Sequence, residues 1–214
     1  MKKILNKSGE TLVEALVSIT VLIMAGAVAS SMIISSMQQM MLSEDYLIAQ
    51  NLAYEGVEAI KDIRGTNAML YPSKPECWMI LSPDPSPDFD CTNAGKIAIG
   101  EAYTVNYGVA DSGYNHWYLE KKGDAVGGDI PTNIEDFLLY LVPDENGGDF
   151  SRYLHIGAEE EKSRFYRAIS VKSVNGDILT GKKEIRFNVY VRWLRGAKEN
   201  VFQFKDVALT NYAE

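Results

Sequence analysis

The chain has 214 residues, a formal net charge of −8, 46% hydrophobic residues and 23% charged residues. Those values exclude a disordered chain, and an acidic balance argues against nucleic-acid binding through the overall field. The charge is segmented: residues 1–9 carry +3 from Lys2, Lys3 and Lys7, residues 10–43 carry −2 from Glu10 and Glu14, and the remainder carries −9.

The first predicted element is an apolar helix. No charged residue occurs from Ala15 to Ser43. Its first stretch, Ala15–Ile34, would span about 30 Å as a helix, the thickness of a bilayer's hydrocarbon core. Lys2, Lys3 and Lys7 ahead of it predict a cytoplasmic amino terminus by the positive-inside bias. A buried core helix seldom runs this long without charge on any face. A cleaved secretory signal is the other alternative, with Ala27-Val28-Ala29 as an A-x-A site before Ser30. Against it, the apolar character continues through Met32, Ile33, Ile34, Met37, Met40, Met41 and Leu42, and an acid, Glu14, abuts the apolar run.

Gly9-Glu10-Thr11-Leu12-Val13-Glu14 resembles the processing site of type IV prepilins and type II secretion pseudopilins. In that family a short basic leader ends in Gly, and the mature chain typically begins Phe-Thr-Leu-Ile/Val-Glu. The resemblance implies that residues 1–9 are a leader removed after Gly9 by a prepilin peptidase. It further implies methylation of the new amino terminus, and Glu14, fifth in the mature chain, as the acid used in subunit assembly. The sequence departs from the family at Glu10, where Phe is usual, and this bears on the methylation. Independently of any family, a carboxylate in lipid seeks a cation or a donor, and the freed amino terminus of a neighbour is both. A Glu14 that merely snorkels to the headgroups is the structural alternative.

After Ser43 the pattern becomes amphipathic. Ala49, Leu52, Ala53, Gly56, Val57, Ile60 and Ile63 fall on one helical face. With no proline across residues 10–64, the spacing predicts one helix ending at Gly65-Thr66-Asn67. Residues 10–34 form its membrane and filament-core half and residues 35–65 its amphipathic half. The segment Ala49–Arg64, with Leu52-Ala53-Tyr54-Glu55-Gly56-Val57-Glu58, is similar to the helix of PilV-like and GspI-like minor subunits.

Residues 66–214 read as a β-rich head. Pro72, Pro75, Pro83, Pro85 and Pro87 mark irregular surface chain around Cys77 and Cys91. A disulfide there would close a 15-residue loop and stabilise it by about 3 kcal/mol on chain-entropy grounds, and an exported head favours its formation. Two unpaired thiols are the alternative. Glu184–Leu194 alternates as a half-buried strand, Ile185, Phe187, Val189, Val191 and Trp193 against Glu184, Arg186, Asn188, Tyr190 and Arg192. With Phe165–Val174 before it and Val201–Leu209 after the connection Arg195–Asn200, it predicts an antiparallel meander. Tyr103–Val109, His116–Glu120, Phe137–Val142 and Phe150–Ile156 are shorter strands, with Ile134–Val142 open to a helical turn.

Enzyme motifs are broken. Gly176–Lys183 has the spacing of a phosphate-binding loop but ends in Lys where Ser or Thr must reach magnesium, and a strand follows. His116 and His155 have no neighbouring nucleophile signature and read as strand or surface residues. Asp144, Asn146 and Asp149 on a Gly-rich turn are calcium candidates without EF-hand spacing, with a solvated turn as the alternative, and Asp84, Asp88 and Asp90 in the proline loop offer similar oxygen donors. Arg186, Arg192, Arg195 and Lys198 near Tyr190 and Trp193 read as an exposed charged sheet face rather than a DNA-binding patch.

The expected fold is therefore α+β, a long amino-terminal helix packed by its second half on an antiparallel sheet, and the resemblance implies the type IV pilin-like arrangement. The expected role is non-catalytic, without a cofactor: a minor pilin in a type IV pilus-like filament. Its partners would be the prepilin peptidase, other pilin subunits, the assembly platform and the membrane. The chain would first sit single-pass in the cytoplasmic membrane and then at the cell surface. A type II secretion pseudopilin is the alternative within the class, and a membrane-anchored binding protein that never polymerises is the alternative outside it.

Overall fold

A computed structural model describes residues 8–84, 90–91, 94–109, 115–125, 131–143, 151–155, 157, 161–176 and 183–210. The architecture is α+β: a helix α1 (Ser8–Leu70) followed by a seven-stranded antiparallel sheet. The chain divides into two compact units, Met1–Leu47 and Ile48–Glu214.

The first unit is the apolar part of α1. Side chains described from Thr11 onward keep their large apolar groups in the open, from Leu12 at 64% exposure to Leu47 at 56%. Within Ala15–Ile34 the hydroxyls are satisfied by the helix itself: Ser18 donates to the Glu14 carbonyl, Thr20 to Leu16, Ser30 to Gly26 and Ser31 to Val28. Such back-bonding removes the polar cost of Ser and Thr on an apolar helix.

The second unit folds around the remaining turns of α1. Ala49, Leu52, Ala53, Val57, Ile60 and Ile63 are buried in one core with the sheet, as the 3.6-residue period demands. Gly56 lets helix and sheet approach: a Cβ there would lie 3.1 Å from Val189 Cγ1 and 3.5 Å from Arg167 Cδ. The helix passes the expected stop at Gly65 and ends at Leu70. Asn67 explains the extension. Buried in the helix, it donates from Nδ2 to the Trp78 and Ile80 carbonyls, both at 3.2 Å, so the extra turn anchors the following loop. Pro72 then disfavours α conformation at Tyr71 and stops the helix.

The strands are β1 (Glu101–Val109), β2 (Asn115–Asp124), β3 (Leu138–Pro143), β4 (Ser151–Leu154), β5 (Lys162–Gly176), β6 (Lys183–Arg195) and β7 (Lys198–Thr210). The expected meander is present as β5–β6–β7. On its other edge β5 is shared, Tyr166 and Lys162 facing β3 and Ser170 and Ile169 facing β1. Two expectations are corrected. The six-residue connection between β6 and β7 is a two-residue turn, because Arg195 pairs with Lys198 and Gly196 adopts a left-handed φ of 60°. β6 is also not half-buried: Asn188 and Tyr190, on the face expected to be wet, are 2% and 3% exposed. Asn188 sits at a bulge, where its Oδ1 accepts the Asp206 amide at 2.8 Å and the register shifts between Phe187 and Val189. Ile134–Val142 contains both readings, a 3-10 turn at Ile134–Phe137 and then β3. Phe137 from that turn is buried with Ala102, Ala125 and Ala168 in a second small core.

Candidate functional site

Among the described residues, an acid on an uncovered apolar helix and a cation inside the core of the head hold chemistry out of keeping with their surroundings, as does the buried Asp45 carboxylate.

The first is Glu14. From Thr11 to Ser43 it is the only ionisable side chain, and its neighbours Leu12, Val13, Leu16 and Val17 are all well exposed. α1 holds a stretch long and apolar enough to cross a membrane, and none of that stretch is buried within the chain. Among the described residues within a turn of it, Thr11 to Val17, the side chains are apolar or hydroxylic, so none of them neutralises the carboxylate. The arrangement offers a single anionic point on an apolar rod, suited to one cationic or hydrogen-donating contact in a low-dielectric surrounding. Gly9 and Glu10 fall in the first turn of α1, ahead of the first described side chain.

The second is Arg167 in β5, 1% exposed. Period-two alternation places it on the same sheet face as Phe165, Ile169 and Val171, under the helix. Its guanidinium meets Glu55 at 3.3 Å and donates to two backbone carbonyls, Leu52 at 3.4 Å and Val105 at 3.3 Å. Burial pulls the Arg167 pKa down from its usual value, and Glu55 opposes that shift. Glu55 and Gly56, adjacent in the helix, thus act together: one neutralises the buried cation while the other lets the backbone come close enough to do so. Sequence reading missed Arg167. The signal was available, because an arginine in phase with three apolar residues of a strand must either be buried or break the strand.

The disulfide is present. Cys77 and Cys91, with Cα atoms 5.5 Å apart, are fully buried with Ile80 between helix end and loop. Tyr71 joins this cluster, donating through its hydroxyl to the Asp84 carbonyl and accepting the Asp84 amide at 3.3 Å. The Glu76 carboxylate lies close to both sulfurs, but the bond between them leaves no thiolate to bind a metal.

The other candidates from sequence are not assembled into a site among the described residues. Asp144, Asn146, Asp149 and Asp88 lie outside them, as does the Asp177–Lys182 part of the phosphate-loop spacing. The flanking strands pair Gly176 with Lys183, as a hairpin requires. Tyr190 and Trp193 are core residues, while Arg192 pairs with Glu135 and Glu199 and Arg186 with Glu184, so no basic aromatic patch forms from them. His116 is buried in β2 with its Nε2 3.2 Å from Ser82 Oγ. His155 is half-buried beyond β4, and desolvation holds its pKa well below the usual imidazole value.

Comparison with protein-family models, curated proteins and solved structures yields no match for this chain.

Proposed function

We propose that this chain is a non-catalytic structural subunit of a type IV pilus-like filament, a minor pilin cleaved after Gly9, with Glu14 directing its docking. The observation that carries the reading is the combination at the start of α1: a basic leader ending in Gly, an apolar helix with no cover of its own, and one acid near its beginning. An anchor alone gives no reason to place a carboxylate there, since an ionisable group inside the membrane is disfavoured by about 3 kcal/mol at the helix centre and by less towards its end.

The physical account is as follows. Cleavage after Gly9 frees an ammonium at Glu10, four residues before Glu14. Four residues rise about 6 Å along a helix. Two such helices side by side, offset by that rise, bring the Glu14 carboxylate of one level with the freed ammonium of the other. In lipid both charges are poorly solvated, so the pair is favoured over either group alone. Side-by-side packing then covers the apolar surface that the chain leaves open. The head, held by its own core, serves as the exposed part of the subunit. A type II secretion pseudopilin uses the same chemistry and differs in the machine served.

The test is Glu14→Leu together with Glu14→Gln, in cells that make the full chain. Both variants should be processed and retained in the membrane, but be lost from sheared filaments. Incorporation of both at the unsubstituted level sinks the docking role. Absence of the unsubstituted chain from any filament fraction favours the membrane-anchored binding protein instead.

A further inference from the structure

Three strands of the sheet have a single partner among the described residues: β2, β4 and β7. An open strand edge is a template for further pairing unless it is short, covered or repulsive. β4 has four residues, and β2 is met by the loop before β1, where the Leu81 carbonyl accepts the Leu119 amide at 2.8 Å. β7 has 13 residues and pairs with β6 alone. Its two-residue turn closes on the pair Arg195–Lys198, which must be hydrogen-bonded. Alternation then aims the backbone groups of Asn200, Phe202 and Phe204 at β6, and those of Glu199, Val201 and Gln203 outward. On the helix side of this edge Phe202, Phe204 and Tyr54 form an aromatic ledge. Successive ring centres there are 5.1 and 4.7 Å apart, and Tyr54 is 50% exposed.

The charges along this edge are self-complementary. Lys198, Glu199, Lys205 and Asp206 sum to zero. Lysines alone would repel a second copy, but here an acid lies beside each. In an antiparallel pair of β7 strands with Phe202 opposite Phe202, Glu199 comes level with Lys205 and Lys198 with Asp206, each twice by symmetry. The two neighbouring registers, with Val201 or Gln203 on the axis, oppose no charged pair. Glu199 and Asp206 also meet Arg192 and Lys172 of their own sheet, at 3.3 and 2.7 Å, and a carboxylate has acceptor capacity for a further contact. The bulge at Asp206, with φ 54°, ends the regular run and confines pairing to this stretch.

We infer that the β7 edge pairs with the β7 edge of a second copy of this chain, antiparallel and with Phe202 on the two-fold axis. The direction of α1 within the head gives this contact a consequence. Leu52 lies over Arg167, Gly56 beside Ile169, and Ile60 lines a small apolar cavity with Val171, so this part of α1 runs along β5. β7 has the sense of β5, because both are antiparallel to β6. A two-fold axis normal to the sheet reverses that sense, so paired heads hold these stretches of α1 antiparallel. Anchored copies joined in this way come from opposed membranes or filaments, unlike neighbours packed side by side in one. The pairing rests on the head alone; the opposed anchoring rests on the membrane-spanning part of the function proposed above.

The test is oxidative crosslinking of the purified full chain in detergent, with folding checked by tryptophan fluorescence. Phe202→Cys should give a covalent dimer, since the two Cα atoms would lie about 4.5 Å apart across the axis. Asn200→Cys and Phe204→Cys should stay monomeric, each about 14 Å from its own counterpart. Should Phe202→Cys not fold, Val201→Cys mixed with Gln203→Cys reads the same register. Glu199→Lys or Lys205→Glu, added to the Phe202→Cys chain, should each lower the dimer yield about ten-fold. A mixture of the two should restore it, because each then opposes its complement. Val201→Pro removes an outward amide and should abolish the dimer while leaving the head folded. In vesicles of phosphatidylcholine and phosphatidylglycerol, the unsubstituted chain should cluster vesicles and Val201→Pro should not. A folded Phe202→Cys chain without dimer, equal yields at all three positions, or a mixture no better than its parts overturns the pairing. Dimer without clustering overturns the opposed anchoring. Neither outcome touches the filament reading, which stands or falls on Glu14 and the amino terminus.

Discussion

Ile33 and Ile60 lie on the same helix and carry the same side chain, yet one is 61% exposed and the other 3%. The contrast extends to the regions around them. In residues 11–47 the described large apolar groups face outward, whereas in the head their counterparts fill a core shared by α1 and the sheet. Polar groups are handled in opposite ways too. Glu14 lies on an apolar surface without local help, while Arg167, deeper and equally out of place, is held by Glu55 and two carbonyls. A buried charge that the chain neutralises itself belongs to folding. On the function proposed above, the exposed Glu14, left on an apolar helix, would instead serve assembly.

Truncation should separate the regions most sharply. Ile60→Ala removes packed atoms beneath the helix and should destabilise the head by about 2–5 kcal/mol. Ile33→Ala should change head stability by under about 0.5 kcal/mol, since its side chain is exposed in the first unit. Denaturant unfolding of the full chain in detergent, followed by tryptophan fluorescence, measures both. Equal effects would erase the distinction between a folding half and an assembly half of α1.

A smaller effect sharpens the contrast between the two charges. Glu55→Gln leaves the Arg167 guanidinium buried with carbonyl partners but no counter-charge, and should cost about 1–3 kcal/mol of head stability. Glu14→Gln should leave head stability unchanged in the same assay. If Glu55→Gln is neutral, the contact with Arg167 is not what offsets the buried cation.

Much of this division is readable from the residues. The 3.6-residue phase of Ala49, Leu52, Ala53, Val57, Ile60 and Ile63 identified the buried face of α1, and proline and cysteine placement identified the disulfide-closed loop. What escaped had specific physical causes. Gly65 looked like a helix stop, yet glycine is tolerated within a helix when Asn67 gains two hydrogen bonds in the next turn. Asn188 looked exposed because it is polar, but a bulge gives its side chain a backbone partner and makes burial acceptable. Arg167 was overlooked because its partner Glu55 lies 112 residues away in sequence. Periodicity detects which face is buried, and long-range pairing decides which polar groups can go there.

The central claim is that the chain begins its working life at Glu10, with the apolar helix as an assembly element. Mass spectrometric determination of the amino terminus of the exported protein tests this most directly. The account predicts a chain starting at Glu10, with or without a methyl group on its amine. A chain starting at Ser30 would mean that the apolar run is a discarded secretory signal, and a chain retaining Met1 would mean a simple anchor; either contradicts it.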